Sequence, residues 1–455
     1  MTMRRGDTGP TRRQVGAGLL AAAAAMGAAG TAPALAAPGP GGAEGPGGSQ
    51  GLQAMAADSL VDSIGVNIHC WPGNSYIEGD RWEKVILPAL RELRIRHARD
   101  GVGLDRGVLA RLRQVAQLGI RLTLLSGPEA TSSVELSRAL DEVGRENIAM
   151  LEGVNEPDGW WGGRPGHTPE MAIDHQRILS GIGRARDIPV IASALIQAGN
   201  RARFARQGPY AQYGNVHPYP AGRMPETGGW GDNGYGSLRW ARDLLVTPLL
   251  GPKAPFVATE AGYHNAITQK ARSTNPHSGC PEAVSAAYEP RLFLYYRRFG
   301  VARSFKYELF DQGTDKDDPE QNFGWLRHDG SRKPAFHAMR NLIAAFSDPG
   351  KAFAPARLPV GLSGEMEGLE TALFQKRDGS FLLALWLAKS LWDVHSFTET
   401  SVPPQQVRIA LGDRIRQAAV NRPNEDSRFQ EAALAGGGIT LPVTAQVTLL
   451  RLTPR

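Results

Sequence analysis

Two short strings in this chain end an apolar run on a glutamate. One is Leu151-Glu152-Gly153-Val154-Asn155-Glu156-Pro157-Asp158, the other Phe256-Val257-Ala258-Thr259-Glu260-Ala261-Gly262. Such a run reads as a strand buried on both faces, and a carboxyl group where it stops is presented at the strand's mouth. Two carboxyl groups that meet across one mouth suit substitution at an anomeric carbon. One acid protonates the departing oxygen while the other carboxylate attacks, and the two stand roughly 5–5.5 Å apart when configuration is retained. Proximity separates their roles, because each negative charge disfavours the other. Glu156 is read as the acid/base and Glu260 as the nucleophile, a chemistry that calls for no metal and no organic cofactor.

The elements that must position this pair are legible as a repeating pattern. Short apolar runs at Ile64–Ile68, Ile95–Ala98, Leu122–Leu125, Ala149–Val154, Val190–Ala194, Asn215–His217, Phe256–Thr259 and Ser304–Leu309 read as eight strands. Segments with helical spacing lie between them. Leu104, Val108, Leu109, Leu112 and Val115 share one face, and Met171–Ile182, Leu238–Leu250, Ala283–Arg298 and Ala335–Phe346 are further helices. Strands alternating with helices imply parallel βαβ units, and eight of them match a closed (β/α)8 TIM barrel, whose active groups sit where the strands end. An open doubly wound sheet is disfavoured, since Gly65-Val66-Asn67-Ile68-His69-Cys70 after the first strand is no glycine-rich dinucleotide loop. Past about residue 350 the texture turns to strands. Thr371–Gln375 and Phe381–Leu387 flank an Asp378-Gly379 turn, and Val407–Leu411, Ile439–Leu441 and Val447–Leu452 follow. The expected division is a barrel over 57–350 and a small all-β sandwich over 351–455.

With the elements in place, the pair resembles a known group. Asn-Glu-Pro at strand 4 with a lone glutamate ending strand 7 is similar to clan A of the glycoside hydrolases, (β/α)8 retaining enzymes. The resemblance covers about residues 60–345, and a trailing β-sandwich occurs in several of its families. It implies a carbohydrate substrate and a set of substrate-binding residues. Arg99, in Arg96-His97-Ala98-Arg99-Asp100, matches the arginine that hydrogen-bonds the nucleophile, although a plain salt bridge with Asp100 also fits. Asn155 matches the asparagine on the sugar 2-hydroxyl. His217 and Tyr219 match a His-x-Tyr pair whose tyrosine orients the nucleophile. The run Asn322-Phe323-Gly324-Trp325 to Ala335 resembles the approach to the last barrel helix. Many members place a tryptophan at the end of strand 8; here Phe305-Lys306-Tyr307-Glu308-Leu309-Phe310-Asp311 offers Tyr307 or Phe310 instead. Trp71, Trp160, Trp161 and Trp230 near strand ends read as platforms for sugar C–H faces or as packing. Glu152 shares the face of Glu156 and reads as a structural salt bridge. The competing functional class is a carbohydrate-binding cell-surface protein on the same barrel with reduced turnover. Neither the sugar, its linkage nor an oligomeric state is written in these motifs.

The chain has 455 residues, 42% hydrophobic and 21% charged, an ordinary globular composition. Thr11-Arg12-Arg13-Gln14-Val15, the apolar stretch Gly16–Gly30 and Ala34-Leu35-Ala36 read as a twin-arginine-type signal peptide over 1–36, hence export. The apolar stretch falls short of the ~20 residues that span a bilayer, so no integral membrane segment is expected once the leader is cleaved. Losing four arginines and one aspartate with the leader takes the formal charge from +6 to +3. No Lys/Arg block stands out in what is left, which argues against nucleic-acid partners. Residues 37–56, rich in Gly and Pro, read as a disordered linker. Cys70 and Cys280 fit a disulfide or two buried thiols equally, and with no CxxC or clustered Cys/His set a structural zinc site is not expected.

Overall fold

The computed structural model describes residues 51–128, 132–161, 164–230, 233–274 and 277–455. The expected leader, residues 37–50 of the linker and the side chains of Trp160 and Trp161 lie outside the described residues. Eight parallel strands form the centre: β1 (Ile64–Asn67), β2 (His97–Gly101), β3 (Arg121–Leu125), β4 (Ile148–Glu152), β5 (Val190–Ile191), β6 (Gly214–Val216), β7 (Phe256–Ala261) and β8 (Ser304–Lys306). Each pairs with its successor from β1 to β5 and from β6 to β8, and β8 returns to β1. The Ile191–Tyr213 bridge, with Ala192 N–H donating to Tyr213 C=O at 2.9 Å, joins β5 to β6 and closes the barrel. Each expected strand overlaps one of these.

Helices coat the outside. In Arg106–Gln117 the side chains of Val108, Leu109, Leu112 and Val115 are buried, as their spacing requires, and Asp105 caps the first turn by accepting from Val108 N–H. Leu104 precedes this helix and is only partly buried against the same core. The strand period of two splits each barrel strand between an outer face against the helices and an inner face. Met150, Val257, Ala149 and Ile191 form a separate apolar cluster. Above it lies a polar layer of Asn67, Arg99, Glu152, Asn215 and Thr259, all buried. Gly65 is required here, because a Cβ would stand 2.3 Å from the ring of Phe305 on the neighbouring strand.

The C-terminal region is a β-sandwich. One sheet runs Met55–Ala56, Leu369–Gln375, Phe381–Leu387, Thr448–Pro454, Ile415–Asn421, Gln430–Ala432; a second runs Gly361–Gly364, Gln405–Ala410, Gly438–Val443. Phe381–Leu387 is buried at every position, and the reason is two-sided packing. Leu383, Leu385 and Leu387 face the second sheet, while Leu382, Ala384 and Trp386 join the core of the barrel. Arg291, on helix Glu282–Phe299, bonds Glu226 of the barrel and the carbonyls of Lys389 and Ala445. One expectation changes, and one open alternative closes. Residues 51–56 are no linker: Leu52–Gln53 pairs with Arg357–Leu358 in a separate two-stranded sheet, and Met55–Ala56 pairs with Phe374–Gln375 as an edge strand of the sandwich. Cys70 and Cys280 are both buried free thiols. No helix among the described residues is long and apolar enough to cross a membrane.

Candidate active site

Glu156 stands just past β4 and Glu260 within the last turns of β7, both at the C-terminal mouth of the barrel. The backbone at Glu156 is left-handed, with φ 41°, a conformation that costs a non-glycine residue on the order of 1–3 kcal/mol and collects at functional sites. The loop behind it is anchored. Asp158 accepts from Ile196 N–H and Gln197 N–H at 3.0 and 2.9 Å, and Gln197 Nε2 donates back to Asp158 C=O at 2.7 Å. Burial, with Glu156 nearby, pushes the Asp158 carboxyl up to about 6 despite those donors.

Carboxylate oxygens of Glu156 and Glu260 and a ring nitrogen of His217 all lie within 4.8 Å of one another. Arg99 Nη1 donates to Glu260 Oε1 at 2.8 Å, and the Tyr219 hydroxyl donates to Oε2 at 2.7 Å. Burial opposes ionisation of Glu260, but the charges of His217 and Arg99 and the hydrogen bonds from Tyr219 and Arg99 outweigh it. Its carboxyl therefore sits below the usual carboxylate range. The rest of the Arg99 fork is committed. Nε and Nη2 hold Glu152 at 2.6 and 2.9 Å, Nη1 also reaches Asn67 Oδ1 at 2.8 Å, and Nη2 reaches Asn155 Oδ1 at 2.7 Å. Asp100 is not its partner; that carboxylate accepts from the backbone N–H of Cys70 and Gly101. Because Arg99 takes the oxygen of Asn155, the amide nitrogen of Asn155 is turned away from the guanidinium as a donor.

His217 links the two carboxyl groups to the polar layer below. Its Nδ1 is 2.5 Å from Glu156 Oε1 and 3.7 Å from Glu260 Oε2, and its Nε2 is 2.9 Å from Thr259 Oγ1. Thr259 has one hydroxyl proton and lies against two acceptors, Glu152 Oε1 at 2.9 Å and Asn215 Oδ1 at 2.8 Å. Donating to one of them leaves its oxygen to accept from His217 Nε2–H, a tautomer assigned from the network. Nδ1 then faces Glu156 across a contact that holds one proton, on the carboxyl or on the ring. Burial lowers the His217 basicity, but Glu260 and Glu156 outweigh it and hold its pKa above the usual value. Glu156, His217 and Glu260 form the one such metal-ligating group among the described residues. With Arg99 and Tyr219 already on both oxygens of Glu260, the group fits a proton network better than a cation.

Six expected residues thus converge: Glu156, Glu260, Arg99, Asn155, His217 and Tyr219. Of the two aromatic candidates at strand 8, Tyr307 takes the position beside the pair. It clusters with Tyr219 and Phe323, its ring centroid 6.5 Å from that of Tyr219, whereas Phe310 is buried against Tyr76. The Tyr307–Glu308 peptide is cis. Trp71 lies across Gly101 at the end of β2, where a Cβ would come 2.9 Å from its Nε1. Trp230 is half-buried in the loop after β6, with the Arg223 guanidinium 4.5 Å above its ring and Tyr235 at its edge. Sequence reading missed Asn67, Asn215 and Thr259, which set Arg99, Glu152 and His217, and His69 and Glu320 on the β1 and β8 side. Asn67 and His69 follow the same strand-end rule that found the glutamates.

No protein-family model matches the chain, and no curated protein matches it. Solved structures do. Among them, a family 39 glycoside hydrolase from Bacteroides cellulosilyticus aligns with TM-score 0.59 at 15% identity, over 88% of this chain and 82% of that one. A glucosidase from Croceicoccus marinus aligns with TM-score 0.59 at 11% identity, over 89% and 97%. A 4-O-alpha-L-rhamnosyl-beta-D-glucuronidase from Fusarium oxysporum aligns with TM-score 0.53 at 12% identity, over 88% and 97%. The chain therefore has the fold of these glycoside hydrolases, a (β/α)8 barrel carrying a β-sandwich.

Proposed function

We propose that the chain is an exported retaining glycoside hydrolase that cleaves a β-linked oligo- or polysaccharide by double displacement. The observation that carries this is the approach of Glu156 and Glu260, whose oxygens lie within 4.8 Å across the barrel mouth. Retention needs such closeness; inversion needs roughly 6.5–9.5 Å to admit a water. Glu260, held ionised by Arg99 and Tyr219, attacks the anomeric carbon. Glu156, sharing a proton with His217, protonates the departing oxygen and then draws a proton from water to release the covalent glycosyl-enzyme. The names of the fold relatives, all glycosidases, support the reaction class, and the leader-like first residues support export. The intact network counts against the reading of a binding protein with reduced turnover.

The test is Glu260→Ala on an activated aryl glycoside. Turnover is expected to vanish and to return with added azide, which fits the space the carboxylate leaves. Near-native activity in that variant overturns the assignment.

A further inference from the structure

Beside the pair, the side of the cleft built by β8 and β1 holds carboxyl groups that the proposed mechanism does not use. Glu308, fully buried at the end of β8, accepts from the Tyr76 hydroxyl at 3.0 Å and from Gln312 Nε2 at 2.9 Å. His69 Nε2 lies 2.9 Å from it. Glu320, on the turn Pro319–Gln321, receives the Tyr307 hydroxyl at 3.4 Å. Tyr307 in turn meets Tyr219, the residue that bonds Glu260, so Glu320 belongs to the cleft already described.

Three cations beside the pair are already engaged. Arg99 is divided between Glu152, Glu260, Asn67 and Asn155, His217 stands between the catalytic carboxyls, and His69 faces Glu308. We propose that this cleft selects by charge: it takes a neutral sugar, or one bearing an ammonium group, and refuses uronic acids, with Glu320 as a specificity-determining residue. The inference deepens the glycosidase reading and rests on it for the location of the sugar.

A carboxyl group already present serves as the probe of this field. Burial first, then the charges of Glu308, Asp318, Glu260 and Glu156, push Glu320 up to about 8. A uronate carboxylate brought into the same space meets the same buried surroundings and the same negative neighbours, with the Arg99 guanidinium already held by Glu152 and Glu260. An ammonium group meets the reverse.

The experiment uses three aryl glycosides of whichever configuration the native chain cleaves: the neutral sugar, its uronate and its amino analogue. The neutral-to-uronate ratio of kcat/KM is expected to exceed about 100, with the amino sugar cleaved readily. Glu320→Lys, which places a cation in the cleft, should cut that ratio at least about tenfold, and Glu320→Gln should leave it nearly unchanged at neutral pH, where a carboxyl pushed up to about 8 keeps its proton. A uronate cleaved as well as the neutral sugar, or a ratio that Glu320→Lys does not move, overturns the proposal. Calorimetric titration of Glu260→Ala with the matched disaccharides gives the same order without turnover. Tight neutral binding with no hydrolysis by the native chain would then sink the hydrolase reading alone, whereas tighter uronate binding sinks this one.

Discussion

His217 touches Glu156 through Nδ1 at 2.5 Å and leaves only its other nitrogen for Thr259. The ring is therefore the partner through which Glu156 keeps or loses its proton. In His217→Asn, kcat is expected to fall about 100-fold for aryl glycosides with poor leaving groups. The loss should be far smaller for dinitrophenyl glycosides, which leave without protonation. A Brønsted series against leaving-group pKa measures it, and an equal loss across the series would remove His217 from the acid step.

Tyr219→Phe deletes one hydrogen bond to Glu260 and little else. That bond is among the forces holding the Glu260 carboxyl below its ordinary range, so its removal raises the pKa. The acid limb of kcat/KM should move to higher pH, and the plateau should drop about tenfold, the equivalent of one charge-assisted hydrogen bond. A limb that stays put or moves down contradicts the network.

Arg99 has a structural duty as well. Glu152 is fully buried, and Arg99 is its cation. Arg99→Ala leaves that carboxylate uncompensated, at a cost of about 3–5 kcal/mol in urea unfolding. Arg99→Lys should recover little, since a single ammonium cannot span Glu152, Glu260 and Asn155.

Arg291 and Glu226 form another buried pair, within the barrel where the sandwich carbonyls of Lys389 and Ala445 meet Arg291. Arg291→Met should destabilise by about 3 kcal/mol, and adding Glu226→Gln should restore part of the loss. Additive losses in that double-mutant cycle would mean the two residues act independently.

The barrel was legible because its strands are buried on both faces and so read as unbroken apolar runs, with helices of clear period between them. The catalytic candidates were legible by one rule, a polar residue where such a run stops. That rule finds Asn155, Glu156, His217 and Glu260, and applied to β1 it would have found His69. Glu320 escaped it because its surroundings come from distant loops. Trp230 stayed open between sugar platform and packing because nothing local announces Arg223 over its ring. Ile415–Asn421 escaped as a strand because Ile-Arg-Gln-Ala-Ala-Val-Asn has no clean alternation. Residues 51–56 escaped because their pairing partners lie far along the chain.

That last pairing has a consequence for synthesis. Met55–Ala56 can dock only on Phe374–Gln375, so a segment made early waits for one made about 300 residues later. At 5–20 residues per second the wait is roughly 15–60 s, during which the barrel can close while the sandwich still lacks an edge. A sheet edge laid down near residue 55 is thus completed only after residue 375 has left the ribosome.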